Sequence, residues 1–266
     1  MKIARILLPR GIIHYARPLD DPGMTMEILS GDPFQGVQPT GTIVSEFTLL
    51  APMVPAAILC IGLNYRQHAD EMNARVPKFP ILFFKNPSAL LDPGAPITIP
   101  RKLVSTQVDF EGELAVIIGK TCLNATRDSA LDHVLGYTVA NDVSARDWQK
   151  DWGGSQWCRG KSFDSFAPMG PWIVTPDEIP DPNMLRISTR INGETLQHSS
   201  TGDMIFDIPA LIEFLSGDTT LTAGTVILTG TPSGVGVGRN PQRWLQAGDS
   251  VEIEIERIGV LSNPVA

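Results

Sequence analysis

Three acidic residues crowd into the segment Asp109-Phe110-Glu111-Gly112-Glu113, directly ahead of the apolar run Leu114 to Ile118. Side chains alternate between the two faces of a strand. A strand extended back through the acids would therefore put Asp109, Glu111 and Glu113 on the same face as Ala115 and Ile117, the side expected to face the interior. Carboxylates that close repel one another unless something compensates them, and a hard cation with oxygen ligands would do so. An isolated Glu-x-Glu equally suits an edge strand whose acids face water. Asn141-Asp142, at the end of the strand-like run Gly136 to Ala140, offers a third carboxylate. It would complete a set suited to Mg²⁺ or Mn²⁺, with positions left for water and substrate.

A second group of reactive residues lies in Asn64-Tyr65-Arg66-Gln67-His68-Ala69-Asp70-Glu71. On a helical turn His68 and Glu71 are neighbours, so the carboxylate could orient the imidazole and support it as a general base. The same residues could form the polar face of a surface helix. A third segment, Arg159-Gly160-Lys161-Ser162, invites a phosphate-loop reading, but the position that needs the earlier glycine is Ser155. The spacing excludes that reading. Gly230 to Gly238 is glycine-rich without the order of a dinucleotide fingerprint, and reads as a tight loop whose backbone approaches a ligand closely.

The elements that must position these groups are mainly strands. Apolar runs at Leu114 to Ile118, Trp172 to Thr175, Leu185 to Ile191, Thr225 to Leu228 and Val251 to Glu256 predict a mostly β, α+β chain with an antiparallel or mixed sheet. Shorter strands are expected at Lys2 to Leu8, Gly11 to Ala16, Thr25 to Leu29 and Thr42 to Leu50. Pro and Gly around Ala51 to Pro55 suggest a boundary, with a small β-rich domain over residues 1–55 and the main domain over 56–266. The alternative is that the N-terminal strands join the main core. Two helices are expected: one capped by Thr126, packing Ala130, Leu131, Val134 and Leu135 and ending at Gly136, and one capped by Asp207 and ending at Gly217.

Composition narrows the class. With 266 residues, 42% of them hydrophobic, the chain can bury a sizeable core. A net charge of −8 argues against nucleic-acid binding, which needs clustered Lys and Arg. No apolar run is long enough to span a bilayer, and Met1 to Gly11 lacks the pattern of a cleaved leader, so a cytoplasmic protein is expected. Cys60, Cys122 and Cys158 are too widely spaced for a zinc motif, and read as small buried hydrophobes.

Six segments in order, IGLNYRQHADEM, DFEGELAVIIGK, YTVANDVSARDWQ, RGKSFDSFAPMGPW, ILTGTPSGVGVG and AGDSVEIEIERIGVLSNPV, resemble the fumarylacetoacetate hydrolase family from about Ile58 to Pro264. The resemblance implies a rolled mixed β-sheet and a homodimer. Carried over by position, it makes Glu111, Glu113 and Asp142 ligands of Mg²⁺ or Mn²⁺, and His68 with Glu71 a base pair on a lid. It places Lys161 beside the metal, Arg146 and Gln149 near the substrate, and Thr231 on the substrate carboxylate, and gives Asp109 no role. The founding hydrolase has a further metal carboxylate upstream of its histidine. Asn64 and its neighbours supply none, which groups the chain with acylpyruvase-like members.

The resemblance leaves several reactions open, and the presence of His68 with Glu71 favours carbon–carbon hydrolysis of an acylpyruvate, a small 2-oxo acid. Oxaloacetate decarboxylation and isomerisation or tautomerisation of oxo-diacids on the same site are the alternatives. A metal-stabilised binding protein is the non-enzymatic rival.

Overall fold

The computed structural model describes residues 1–19 and 24–266. Strands dominate it, as the apolar runs predict, and they form a large mixed sheet. Its centre is Gly112–Ile118, antiparallel to Val134–Asn141 on one side and to Thr225–Leu228 on the other. Thr225–Leu228 runs parallel to Ala57–Gly62, which hairpins with Ile81–Lys85 at the sheet edge. Beyond Val134–Asn141 lies Ala167–Val174. A four-stranded antiparallel sheet, Glu194–Ser200, Arg186–Ile191, Ser250–Ile255 and Gly259–Pro264, packs across the large one. Every residue of Gly112–Ile118 is therefore buried, and a strand covered on both faces reads as an unbroken apolar run rather than an alternating one.

The N-terminal strands Lys2–Leu8, Ile12–Pro18, Met26–Asp32 and Gly36–Val44 form an antiparallel meander around a small core of Ala4, Ile6, Ala16 and Met26. They continue the large sheet where Lys2 and Ile3 pair with Val174 and Ile173. The single strand expected over Thr42 to Leu50 is instead two, since Gly36–Val44 ends before Ser45 and Thr48–Leu50 pairs separately with Lys2–Leu8.

Two helix expectations had different outcomes. Ile208–Ser216 forms as predicted, with the Asp207 side chain accepting the Ala210 N–H (3.0 Å) and Ile208, Leu211, Ile212 and Leu215 buried. After Thr126 only the short 3₁₀ turn Ala130–His133 forms, and Val134 already begins a strand. Sheet pairing by Tyr137, Thr138 and Val139 outweighs the helical spacing of the apolar residues before them. No helix among the described residues is long and apolar enough to cross a membrane.

Gly112 shows how closely the two sheets meet. A Cβ there would lie 2.3 Å from Thr189 Oγ1 and 3.1 Å from Ile253 Cγ2, both on the four-stranded sheet. Only glycine fits between Glu111 and Glu113. Gly112→Ala is expected to destabilise the fold by roughly 1–3 kcal/mol through overpacking. Urea unfolding should show a lower midpoint with an unchanged slope, and a wild-type midpoint would contradict this packing.

Candidate active site

Strand register closes the sequence gap between the acids. Gly112 pairs with Asn141, the Asp142 N–H donates to Glu111 O (2.9 Å), and the Glu111 N–H donates to Asn141 Oδ1 (3.0 Å). Glu111, Glu113 and Asp142 thus meet, all buried, with one oxygen from each within 4.8 Å of the others. A cation bound at about 2.0–2.5 Å from oxygen spans such a set with small side-chain adjustments.

The charges around the set are uneven. Lys161 Nζ donates to Glu111 Oε2 and to Asp142 Oδ2, each at 2.7 Å. Lys85, also buried, donates to Asp142 Oδ1 and to Val143 O. Arg146 Nε donates to Asp109 Oδ2 (2.9 Å), and its Nη2 lies 2.8 Å from Asp109 and 2.6 Å from Glu111, ion contacts whose angles fall outside hydrogen-bond geometry. Four carboxylates face three cations, and Glu113 has no cation of its own among the described residues. Its Oε2 accepts only the Gly230 N–H (2.7 Å).

Burial, followed by the charges of Asp142 and Glu111, pushes the Glu113 carboxyl well above the usual carboxylate range. Burial also pushes Glu111 up, yet Lys161 and Arg146 outweigh it and hold that group far below its ordinary value. Burial pulls Lys161 down, and Asp142 with Glu111 more than offset it. A buried acid short of one positive charge, beside two others with oxygens in reach, suits a divalent cation.

His68 stands across the same cavity, a space of about 290 Å³ lined also by Glu111, Glu113, Arg146, Gln149, Lys161 and Thr231. The helix Arg66–Glu71 is not a surface helix at this point, because His68 is only 8% exposed. Its Nδ1 lies 2.8 Å from Glu71 Oε2, while Glu71 Oε1 accepts the Gly234 N–H (2.9 Å). A carboxylate that accepts from Nδ1–H leaves Nε2 as the basic nitrogen. Asn64 secures the approach to this helix by donating to Thr229 O and Phe206 O while accepting the Phe206 N–H.

Two expectations change. Asp109 does not share a face with Glu111 and Glu113, because the strand breaks at Phe110-Glu111 and Val108–Asp109 pairs separately with Ser144–Ala145. There it accepts N–H groups from Gly236 (2.7 Å) and Val237 (3.0 Å) as well as holding Arg146. The glycine-rich loop, read as a backbone cradle for a ligand, instead donates N–H groups from Gly230, Gly234, Gly236 and Val237 to Glu113, Glu71 and Asp109. Gly230 and Gly234 have φ of +98° and +100°, which side chains rarely adopt.

Thr231 lines the cavity, but its hydroxyl donates to Gly112 O (3.1 Å) and accepts from Gln197 Nε2 (2.8 Å), so it must turn to donate to a substrate. Gln149 Oε1 accepts from Arg146 Nη1 (3.0 Å). Of the cysteines, Cys60 and Cys122 are buried and Cys158 is half-buried; all are free.

Lys85, Gln197 and the role of Asp109 escaped the sequence reading. Period-two alternation in Ile81–Lys85 carries a signal for Lys85, since it shares the inward face with Phe83 while Leu82 and Phe84 face out. No local pattern marks Gln197, which joins the four-stranded sheet to Gly112, Thr231 and Pro232.

Residues 57–266 match the family model described as fumarylacetoacetate (FAA) hydrolase C-terminal, and residues 1–52 match one described as Rv2993c-like, N-terminal. Similar proteins include a mitochondrial oxaloacetate tautomerase of Xenopus laevis, 51% identical over 83% of this chain and 69% of that protein. A mitochondrial oxaloacetate tautomerase of Homo sapiens is 47% identical over 83% of this chain and 70% of its own. A solved structure of 5-carboxymethyl-2-hydroxymuconate delta-isomerase from Mycobacterium smegmatis superposes with a TM-score of 0.87 at 37% identity, covering 100% of this chain and 99% of that one. The 2-hydroxyhepta-2,4-diene-1,7-dioate isomerase from Mycobacterium marinum gives 0.86 at 40% identity, covering 100% and 98%.

The contacts of Asp109 generate a stability prediction. Asp109→Ala would strip Arg146 of one carboxylate and leave the Gly236 and Val237 N–H groups without their acceptor. The expected loss is about 3–5 kcal/mol, the scale for breaking a buried ion pair. Asp109→Asn, which keeps an acceptor oxygen, should lose less. Chemical denaturation of both variants checks this, and wild-type stability in Asp109→Ala would contradict it.

Proposed function

The chain is an enzyme of the fumarylacetoacetate hydrolase family, and on that premise we propose that it moves a proton at the carbon next to the carbonyl of a small 2-oxo acid. The reaction class is tautomerisation or isomerisation. The observation that carries this reading is buried His68, paired with Glu71 at 2.8 Å and sharing one cavity with the acids Glu111 and Glu113. The tautomerase and isomerase names of the relatives support the choice over hydrolysis.

Glu111, Glu113 and Asp142 would hold Mg²⁺ or Mn²⁺, which supplies a Lewis acid for the oxygens of a 2-oxo acid. Nε2 of His68 takes or returns the proton at the carbon beside the carbonyl. Glu71 faces the resulting imidazolium at Nδ1, and the Gly234 N–H keeps that carboxylate in place. Lys161, cationic because two carboxylates hold it so, would face the negative charge that develops on the enolate oxygen. Arg146, held by Asp109 and Gln149, presents a fixed positive charge to the substrate's acid end.

A second reading draws on the apolar walls Ile81, Phe83 and Trp157, which suit a longer acyl tail. Here His68 and Glu71 would activate water to attack the distal carbonyl of an acylpyruvate, breaking the carbon–carbon bond. Decarboxylation of oxaloacetate would need no such water.

Enol-to-ketone conversion of oxaloacetate, followed by ultraviolet absorbance, is expected to stop on chelation and return with Mg²⁺ or Mn²⁺. His68→Ala should slow it by roughly 10²- to 10⁴-fold, the range for a lost general base. Glu113→Gln should weaken calorimetric metal affinity while leaving the fold intact. Full rate in metal-free protein, or in His68→Ala, would contradict the assignment.

A further inference from the structure

Three cations line the cavity, and two of them are committed. Arg146 is held by Asp109, Glu111 and Gln149, and Lys161 by Glu111 and Asp142. Each already shares its charge with protein carboxylates. The third, Lys150, closes the helix Arg146–Lys150 one turn beyond Arg146, so both side chains emerge on one face of that helix. Its ammonium makes no ion pair or hydrogen bond with any described residue, although Asp151 follows it directly in sequence.

A 2-oxo acid brings one carboxylate beside its carbonyl, which Arg146 and a cation held by the acid cluster would serve. A second carboxylate, at the far end of an oxo-diacid, needs another positive group, because Gln149, Thr231 and Trp157 in the same lining are neutral and the walls Met72, Ile81 and Phe83 are apolar. A carboxylate buried against those walls alone would lose its hydration without return. We propose that Lys150 takes this distal carboxylate, and so selects dicarboxylic over monocarboxylic 2-oxo acids. This inference rests on the 2-oxo acid reading above and adds the substrate's second charge to it.

The test compares oxaloacetate with 2-oxobutyrate, which carries a methyl group in place of the distal carboxylate. Dissociation constants are measured by tryptophan fluorescence, since Trp157 lines the cavity, on the intact protein with Mg²⁺ present. The wild-type protein should bind oxaloacetate more tightly than 2-oxobutyrate. Lys150→Met should weaken oxaloacetate by roughly 10- to 100-fold, as expected for a lost charge-assisted hydrogen bond, and leave 2-oxobutyrate within about 2-fold. Lys150→Arg should retain most of the preference. Equal losses for both acids, no loss for either, or no oxaloacetate binding by the wild-type protein would overturn the proposal. Turnover is scored separately: selective binding without conversion of oxaloacetate would defeat the proposed reaction and leave the role of Lys150 standing.

Discussion

Four carboxylates, Asp109, Glu111, Glu113 and Asp142, are buried beside three buried cations among the described residues, Lys85, Arg146 and Lys161. Burying charges costs several kcal/mol per ion, repaid only when each oxygen and each N–H finds a partner with good geometry. The surrounding structure follows from that requirement. The pairing of Gly112 with Asn141 sets Glu111 against Asp142, Ile81–Lys85 brings a lysine from the sheet edge, and the glycine loop gives up backbone N–H groups to three carboxylates. What stays unmatched is Glu113, whose carboxyl is pushed above the usual range by burial and then by the charges of Asp142 and Glu111.

The same arrangement links the acids to the base. The loop that holds Glu113 through Gly230 holds Glu71 through Gly234, four residues later. Glu71 in turn orients His68. Asp109 extends the chain of contacts by tying Gly236 and Val237 to Arg146. A shift in this loop would therefore reach the acid set, the imidazole and the arginine together. Such close approach of backbone to side chain leaves little space: a Cβ at Gly236 would lie 1.9 Å from Arg243 O, and one at Gly238 would lie 2.5 Å from Glu71 Cδ.

Much of this was legible in the chain. Alternation placed Glu111 and Glu113 on the inward face, the run ending at Ala140 delivered Asp142, and the helical spacing of His68 and Glu71 became a 2.8 Å contact. Short-range periodicity could not show where a strand breaks, which is why Asp109 was aligned with the wrong neighbours. It also misread Ala130 to Leu135, where apolar residues at helical spacing run from a 3₁₀ turn into a strand that pairs on both sides. Gln197 and Lys85 act through contacts far away in sequence, with Thr231 and Asp142, and those depend on the packing of two sheets and the register at the edge.

The central claim is that His68 exchanges a proton with carbon at this acid-lined site. The most direct measurement follows the methylene hydrogens of oxaloacetate by NMR in D₂O, with and without the protein, in the presence of Mg²⁺. The account predicts deuterium entering that carbon faster than in buffer, with oxaloacetate as the recovered species. Exchange no faster than buffer, or loss of oxaloacetate to pyruvate and CO₂ as the only protein-dependent change, would contradict it.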